Sequence, residues 1–477
     1  MTKVTRRNLV KGSVLGAAAL PSLQRSVAAA PVASRTPEAA ALYAVIKDLP
    51  VDDTHCHPIS DADAHTSPGA YIERLALAAF PAPAYFPAGV FEQWQAGDEH
   101  TRDALDRRYG ISKVLAKIHG HFRETVFFKF MLKEMAAFLG CRPRFEEVIE
   151  ARNARGRDYF GYVNALFRDA KIQNAMVDTG YADGLDAAGI HRFEAAVRPT
   201  RVRLIARVET IQDGLLEQDL SFDALRETFL RRVHDALDGT GNFGRRSYGM
   251  KSYLLPTMGL IKPVYDPAAA AASWNGMKRL RGAPSTDREE QARRGKVLQE
   301  YLLTLALEAC LERDMPMQFH AGDGEAPDVI LRNQHPWYLE EFVRFDRDGV
   351  MRMPKIIPIH AGYPLVGEAA WLSHLYTNCY FEVSLMTPFI HQGLVHRYLE
   401  IMEAVPLSKI LFGSDAYNVP ELYWLAARWG KRFLSDALAV YVHEGVLTSE
   451  EALAAARMIL YQNNRAVYRL DEIDGRA

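Results

Sequence analysis

The sequence predicts an α/β fold: a (β/α)8 TIM barrel with a helical insertion between strands 1 and 2. Three observations point there. Eight short runs of β-branched and aliphatic residues recur along the chain, most of them followed by a helical stretch. Several runs end in or near a histidine, lysine or aspartate, as expected when a site is built at the C-terminal face of a parallel barrel. No glycine-rich phosphate turn follows the first run, which argues against an open doubly wound sheet.

Composition narrows the function classes. The 477 residues are 48% hydrophobic and 24% charged, a globular composition with enough chain for one large barrel. A formal charge of −2 and a pI near 6.7 lack the basic excess of a nucleic-acid binder. A small-molecule substrate is the expected partner, and the sequence is compatible with a homo-oligomer.

Thr5-Arg6-Arg7-Asn8-Leu9-Val10-Lys11 has the pattern of a twin-arginine export signal. An apolar run from Val14 to Leu20 follows, then the small residues Val27-Ala28-Ala29-Ala30, where a peptidase can cut. Residues 1–30 are therefore expected to be a signal, and the barrel to occupy 38–477 in the periplasm or outside the cell. Beyond the signal no apolar run approaches the roughly 20 residues of a membrane span, so none is expected. Cys56, Cys141, Cys310 and Cys379 are too scattered for a zinc ribbon or a CxxC pair, and Cys56 and Cys310 read as buried thiols.

The first strand is the apolar run Leu49 to Val51 leading into Asp52-Asp53-Thr54-His55-Cys56-His57. Residues i and i+2 of a strand share a face, so His55 and His57 can present two imidazoles to one metal ion. The later strands are expected at Gln173 to Asp178, Val202 to Glu209, Tyr248 to Leu254, Met317 to His320, Lys355 to His360, Tyr380 to Ser384 and Lys409 to Asp415. Far more chain separates the first two than one helix needs. The helical patterns within 68–169 predict an insertion leaving from a site-facing loop, a cap over the pocket. Thr448-Ser449-Glu450-Glu451 is a capping-box start to a helix near the C-terminus.

If the barrel closes, six strand-end groups converge: His55, His57, Lys251, His320, His360 and Asp415. Imidazoles and a carboxylate suit Zn²⁺, as one or two ions, with other divalent metals as alternatives. Any one histidine taken alone is more often a packing or surface residue; it is the joint placement that points to a metal centre. Substrate contacts are expected from Tyr181, Arg207, Tyr253 and Trp337, with Asp323, Glu325 and His335 nearby. Arg207 can also simply pair with Glu209.

Asp-Thr-His-Cys-His (53–57), Phe-His-Ala-Gly (319–322), Ile-His-Ala-Gly-Tyr-Pro (359–364) and Leu-Phe-Gly-Ser-Asp-Ala (411–416) together resemble the amidohydrolase superfamily, in its amidohydrolase-related, FluG-type branch. The resemblance implies a metal-dependent barrel with His55, His57, His320 and Asp415 as ligands. It also implies hydrolysis of an amide-like C–N or ester bond by metal-activated hydroxide, with Asp415 shuttling the proton and His360 assisting. Gly249-Met250-Lys251 resembles the context in which a carbamylated lysine bridges two metals. Two other readings of Lys251 stay open: a substrate-carboxylate anchor beside one metal, and a structural ion pair.

The same superfamily contains decarboxylases of small aromatic or unsaturated acids, so a mononuclear lyase is the alternative reaction. A non-catalytic binding protein is the remaining class. FluG-type relatives tend to carry an arginine soon after the fourth-strand lysine, where this chain has Leu254-Leu255-Pro256-Thr257-Met258. That departure predicts a more apolar substrate than a γ-glutamyl compound.

Overall fold

The computed structural model describes residues 35–59, 64–76, 80–181, 186–279, 295–322, 331–344, 354–417 and 419–475. The expected export signal lies outside the described residues. The chain divides into two units, Met1–Arg35 and Thr36–Ala477, and the barrel lies in the second. Among the described residues no helix is long and apolar enough to cross a membrane.

Six parallel strands pair in sequence order: β1 (Val51–Cys56), β2 (Ile172–Asp178), β3 (Arg201–Arg207), β4 (Ser247–Ser252), β5 (Met317–His320) and β6 (Ile356–Ile359). After them come the two-residue strands β7 (Phe381–Glu382), β8 (Ser384–Leu385) and β9 (Ile410–Leu411), and β7 pairs in parallel with β9. Backbone contacts close the ring. Ile356 bridges Cys379 on the approach to β7. On the other side Thr54 N–H reaches Phe412 O at 2.9 Å, Asp415 N–H reaches His55 O at 2.8 Å, and His57 N–H reaches Ala416 O at 2.8 Å. All strand C-termini therefore open on one face.

The seventh and eighth barrel strands are shorter than their apolar runs predict, for a chemical reason. Ser384 N–H donates to Glu382 Oε1 at 2.8 Å and Ser414 N–H to Asp53 Oδ1 at 2.9 Å. Two buried carboxylates take amide protons that a regular ladder would give to a neighbouring strand. The third run also stops earlier than expected, at Arg207, and Val208 opens a helix.

The barrel interior is filled by Met176, Ile205, Ile357, Ile359 and Leu411 together with Val467, Tyr468 and Leu470 from the C-terminal helices. Those helices also meet the strand starts: Arg465 pairs with Asp52 and Arg203 with Asp474. Even the polar residues of β1 are buried, because each has a partner supplied from elsewhere in the chain.

The chain between β1 and β2 is helical, with Pro68–Leu75, Val90–Ala96, Glu99–Tyr109, Ile111–Arg123, Val126–Leu139, Phe145–Arg155 and Tyr159–Ala170. Side-chain oxygens of Ser67, Asp98, Thr125 and Asp158 cap four of these helices. Ile111, Leu115, Ile118 and Phe122 form a buried stripe at helical spacing along one of them. The insertion packs on the long helix Pro420–His443, with Arg152 Nε 2.6 Å from Glu421 Oε1, both side chains 1% exposed. Its aromatics largely satisfy one another: Phe86, Phe91 and Trp94 stack in series at 6.0 and 5.8 Å between centroids.

Candidate metal centre

His55 and His57 stand on the same face at the end of β1, and both Nε2 atoms converge on one oxygen. Asp415 Oδ1 is 3.1 Å from His55 Nε2 and 3.2 Å from His57 Nε2. The His55 tautomer follows from its other neighbour. Gln318 donates through its amide nitrogen to Thr54 O (2.8 Å) and to Tyr468 Oη (2.7 Å), which turns its oxygen toward His55 Nδ1 at 2.9 Å. Nδ1 therefore carries the proton and Nε2 a lone pair.

Burial, with the charge of Lys251 adding to it, lowers the His55 pKa to about 4, so the ring is neutral at neutral pH. Burial alone would raise the Asp415 carboxyl, but the surrounding imidazoles outweigh it and hold it well below the usual carboxylate range. His55 Nε2 and Asp415 Oδ1 are both buried, and among the described residues neither makes a hydrogen bond. Two lone pairs facing each other at that distance repel unless a cation lies between them, so the donor set fits a divalent metal.

His360 is joined to the same group. Its Nδ1 is 2.9 Å from Ser384 Oγ and 3.8 Å from Asp415 Oδ2, and its Nε2 is 3.1 Å from His320 Nδ1. Burial holds its pKa well below the ordinary imidazole value. His360 and Asp415 both have left-handed backbones, at φ 70° and 51°, conformations that non-glycine residues adopt at a cost of roughly 1 kcal/mol or more. Each is pinned: His360 N–H by Glu382 Oε2 at 3.0 Å, Asp415 N–H by His55 O. Burial pushes the Glu382 carboxyl up to about 8. A side chain at Gly413 would collide with Glu382 Oε1, so the glycine of Leu-Phe-Gly-Ser-Asp makes room for that carboxylate.

A second cluster adjoins the first. Asp178, ending β2, receives Lys251 Nζ at 3.3 Å and the Nε and Nη2 of Arg207 on its Oδ2, and the Gly180 N–H on its Oδ1 at 2.8 Å. Burial opposes its ionisation, but Arg207 and Lys251 hold it well below the normal range. Gly180 has no side chain where one would strike Arg207.

Among the described residues two sets have ligand atoms mutually within 4.8 Å, His55–His360–Asp415 and His55–His57–Asp178. Charge separates them, since a dication at Asp178 would lie beside two cations, whereas Asp415 has imidazoles around it rather than an ammonium or a guanidinium.

The strand-end reading thus brings His55, His57, His320, His360 and Asp415 together, with Lys251 ion-paired beside them. Tyr253 joins the group, its ring 4.5 Å from that of His320 and 5.5 Å from Lys251 Nζ. Arg207 pairs with Asp178, while Glu209 takes the Ser252 hydroxyl at 2.7 Å. Trp337 is 52% exposed and its indole N–H bonds Glu368 O at 3.1 Å. The side chain of Tyr181, and Asp323 and Glu325, lie outside the described residues. Asp178, Gln318, Glu382 and Ser384 escaped the sequence reading. Asp178 was detectable by the strand-end rule applied to the other residues, and Gln318 as a polar residue inside an apolar run.

The family model for Amidohydrolase matches residues 268–470. Protein fluG of Emericella nidulans is 27% identical over 332 residues, 66% of this chain and 37% of that protein, so the match spans little more than a third of that relative. A solved structure from Lactobacillus casei, described as a metal-dependent hydrolase, superposes with a TM-score of 0.65 at 24% identity, covering 90% of this chain and 98% of that one. Uronate isomerase of Thermotoga maritima gives 0.60 at 13% identity, with 90% and 97% covered. The uronate isomerase of Bacillus halodurans gives 0.57 at 12%, with 93% and 100% covered. At these identities the structural likenesses establish the shared barrel fold.

Proposed function

We propose that this chain, which matches the Amidohydrolase family model over residues 268–470 and resembles Protein fluG, is a metal-dependent hydrolase cleaving an amide-like C–N or ester bond of a small molecule. The observation that carries this reading is the convergence of His55 Nε2 and His57 Nε2 on an ionised Asp415 Oδ1 that makes no hydrogen bond. His55, His57 and Asp415 would hold the ion, Zn²⁺ or another divalent metal. When bound, it lowers the pKa of water toward about 7 and polarises a carbonyl oxygen.

Asp415 then serves through Oδ2, which accepts the proton of the attacking water and returns it to the departing nitrogen or oxygen. His360 has Ser384 and His320 on its two ring nitrogens, so its part is to hold His320 and the carboxylate in register. The Asp178 ion pair supports an ammonium on Lys251, since a carbamate would set a second anion against Asp178. A single metal follows from that choice. It also favours the second reading, a mononuclear lyase that decarboxylates a small aromatic or unsaturated acid.

Metal content of protein purified without chelator, followed by turnover of amide, ester and carboxylic-acid panels in ¹⁸O-water, tests the proposal. Near one ion per chain and ¹⁸O in a released acid supports hydrolysis. Release of CO₂ without ¹⁸O in the organic product supports the lyase, and turnover that survives metal stripping refutes both. Twin-arginine export is proposed alongside: cell fractionation should find the protein outside the cytoplasm, and Arg6→Lys with Arg7→Lys should retain it inside.

A further inference from the structure

The cationic cluster is arranged in a way that ion pairing alone does not require. Arg207, Lys251 and Gln318 are consecutive register partners across β3, β4 and β5, and Gln318 touches His55. The two cations therefore stand one strand and two strands from the residue that orients a metal ligand. Both spend themselves on one acceptor, Oδ2 of Asp178.

Lys251 Nζ has three donors, a side chain 2% exposed, and Asp178 as its one described acid partner. The Nη1 of Arg207 makes no hydrogen bond among the described residues. Glu209, the next acid, is turned to Ser252 and forms no ion pair with either cation. Lys251 thus has N–H donors to spare beyond Asp178, and Arg207, whose side chain is 12% exposed, keeps Nη1 for water or a ligand. The Tyr253 ring lies 5.5 Å from Lys251 Nζ, 5.7 Å from Arg207 Cζ and 4.5 Å from the His320 ring, a flat wall running from the cations to His320.

We propose that Lys251 and Arg207 form an anion subsite beside the metal position, and that the substrate is a small organic carboxylate. Its carboxylate accepts from Lys251 Nζ and Arg207 Nη1, its body lies along Tyr253, and its reacting bond reaches toward Asp415. The reaction enters only in that last clause, which rests on the hydrolase reading. The substrate so described is polar at one end, unlike the apolar ligand suggested by the missing arginine after β4, because β3 supplies the guanidinium instead.

The test is calorimetric titration with benzoate and with its neutral isostere benzamide, at constant ionic strength, on metal-free and metal-loaded protein. Benzoate is expected to bind at least about tenfold tighter than benzamide in both forms. Lys251→Met and Arg207→Met each leave one cation on Asp178, a neutral pair, so either folded variant serves. In each the preference should fall by about tenfold or more with metal content unchanged. Three results would overturn the subsite: equal binding of the two probes, a preference that survives both variants because the carboxylate sits on the metal, or a ¹³C carbamate resonance from Lys251. A hydrolase of neutral substrates would show no benzoate preference yet cleave amides or esters. A non-hydrolytic protein would keep the preference and cleave nothing, so the two readings fail separately.

Discussion

Asp415 and Asp178 are both buried, both at the C-terminal end of the barrel and both within metal-ligand reach of His55, yet their surroundings give them opposite work. Asp415 faces imidazoles and, among the described residues, keeps an oxygen without a hydrogen bond. Asp178 faces an ammonium and a guanidinium. Both carboxyls are held well below the usual range, so the shift alone does not tell a ligand from a counter-ion. What separates them is the kind of neighbour: Asp178 is paired with fixed cations of the protein, whereas the imidazoles at Asp415 can offer lone pairs to a metal ion.

The largest expected effect falls on the Asp415 side. Asp415→Asn keeps the shape and removes the base, so kcat should drop about 10²–10⁴-fold, with loss of bound metal by elemental analysis. Full activity with bound metal would remove Asp415 from the mechanism. Asp178→Asn should behave in the opposite sense. Metal content should stay near the native level, while two buried cations lose their partner and stability falls by about 3–5 kcal/mol in denaturant unfolding. Adding Lys251→Met should restore part of that loss. If Asp178→Asn instead empties the metal site with little change in stability, the assignment of the two carboxylates must be exchanged.

A smaller effect sharpens the same contrast from the imidazole side. Gln318→Leu releases His55 Nδ1 and should weaken metal affinity about 10–100-fold in a chelator competition. Gln318→Glu, which still accepts from Nδ1, should recover most of it. Equal affinity in all three proteins would show that the tautomer does not limit binding.

Glu382, a third buried carboxyl, has neither cations nor a metal to ionise against, and its pKa rises to about 8 by burial, with Ser384 opposing. The folded state therefore keeps a proton that the unfolded chain loses near 4.5, and the contribution is fully present below 4.5 and lost as pH rises through about 8. In that window stability should fall by up to about 1.4 kcal/mol per pH unit. Glu382→Gln should flatten that slope in urea unfolding across the window, and an unchanged slope would assign it to another group.

Much of the barrel and its histidines was legible in the linear chain. The HxH pair follows from the two-residue period of a strand, and His320, His360 and Asp415 from apolar runs that stop at a polar residue. Glycine at 413 was visible too, although its purpose, leaving space for Glu382, was not. Asp178 sat at a strand end in plain view, but a strand-final aspartate has no signature that distinguishes ligand from counter-ion until its neighbours are known. Trp337 shows the converse, a residue placed beside a strand-end motif in sequence whose indole bonds a neighbouring helix.

The sequence by itself determined the order of the strands, the alternation with helices, the insertion after β1, and the residue types that can bind a metal, because each is a local property of spacing and composition. Only the tertiary structure decided which of those groups share a charge. Arg207 meets Asp178 rather than Glu209, Gln318 meets His55, and Asp53 and Glu382 take backbone amides and shorten the last strands. Those pairings bring together side chains from separate strands once the barrel closes, and electrostatic interaction depends on that distance and on the water excluded from it, neither of which is written along the chain.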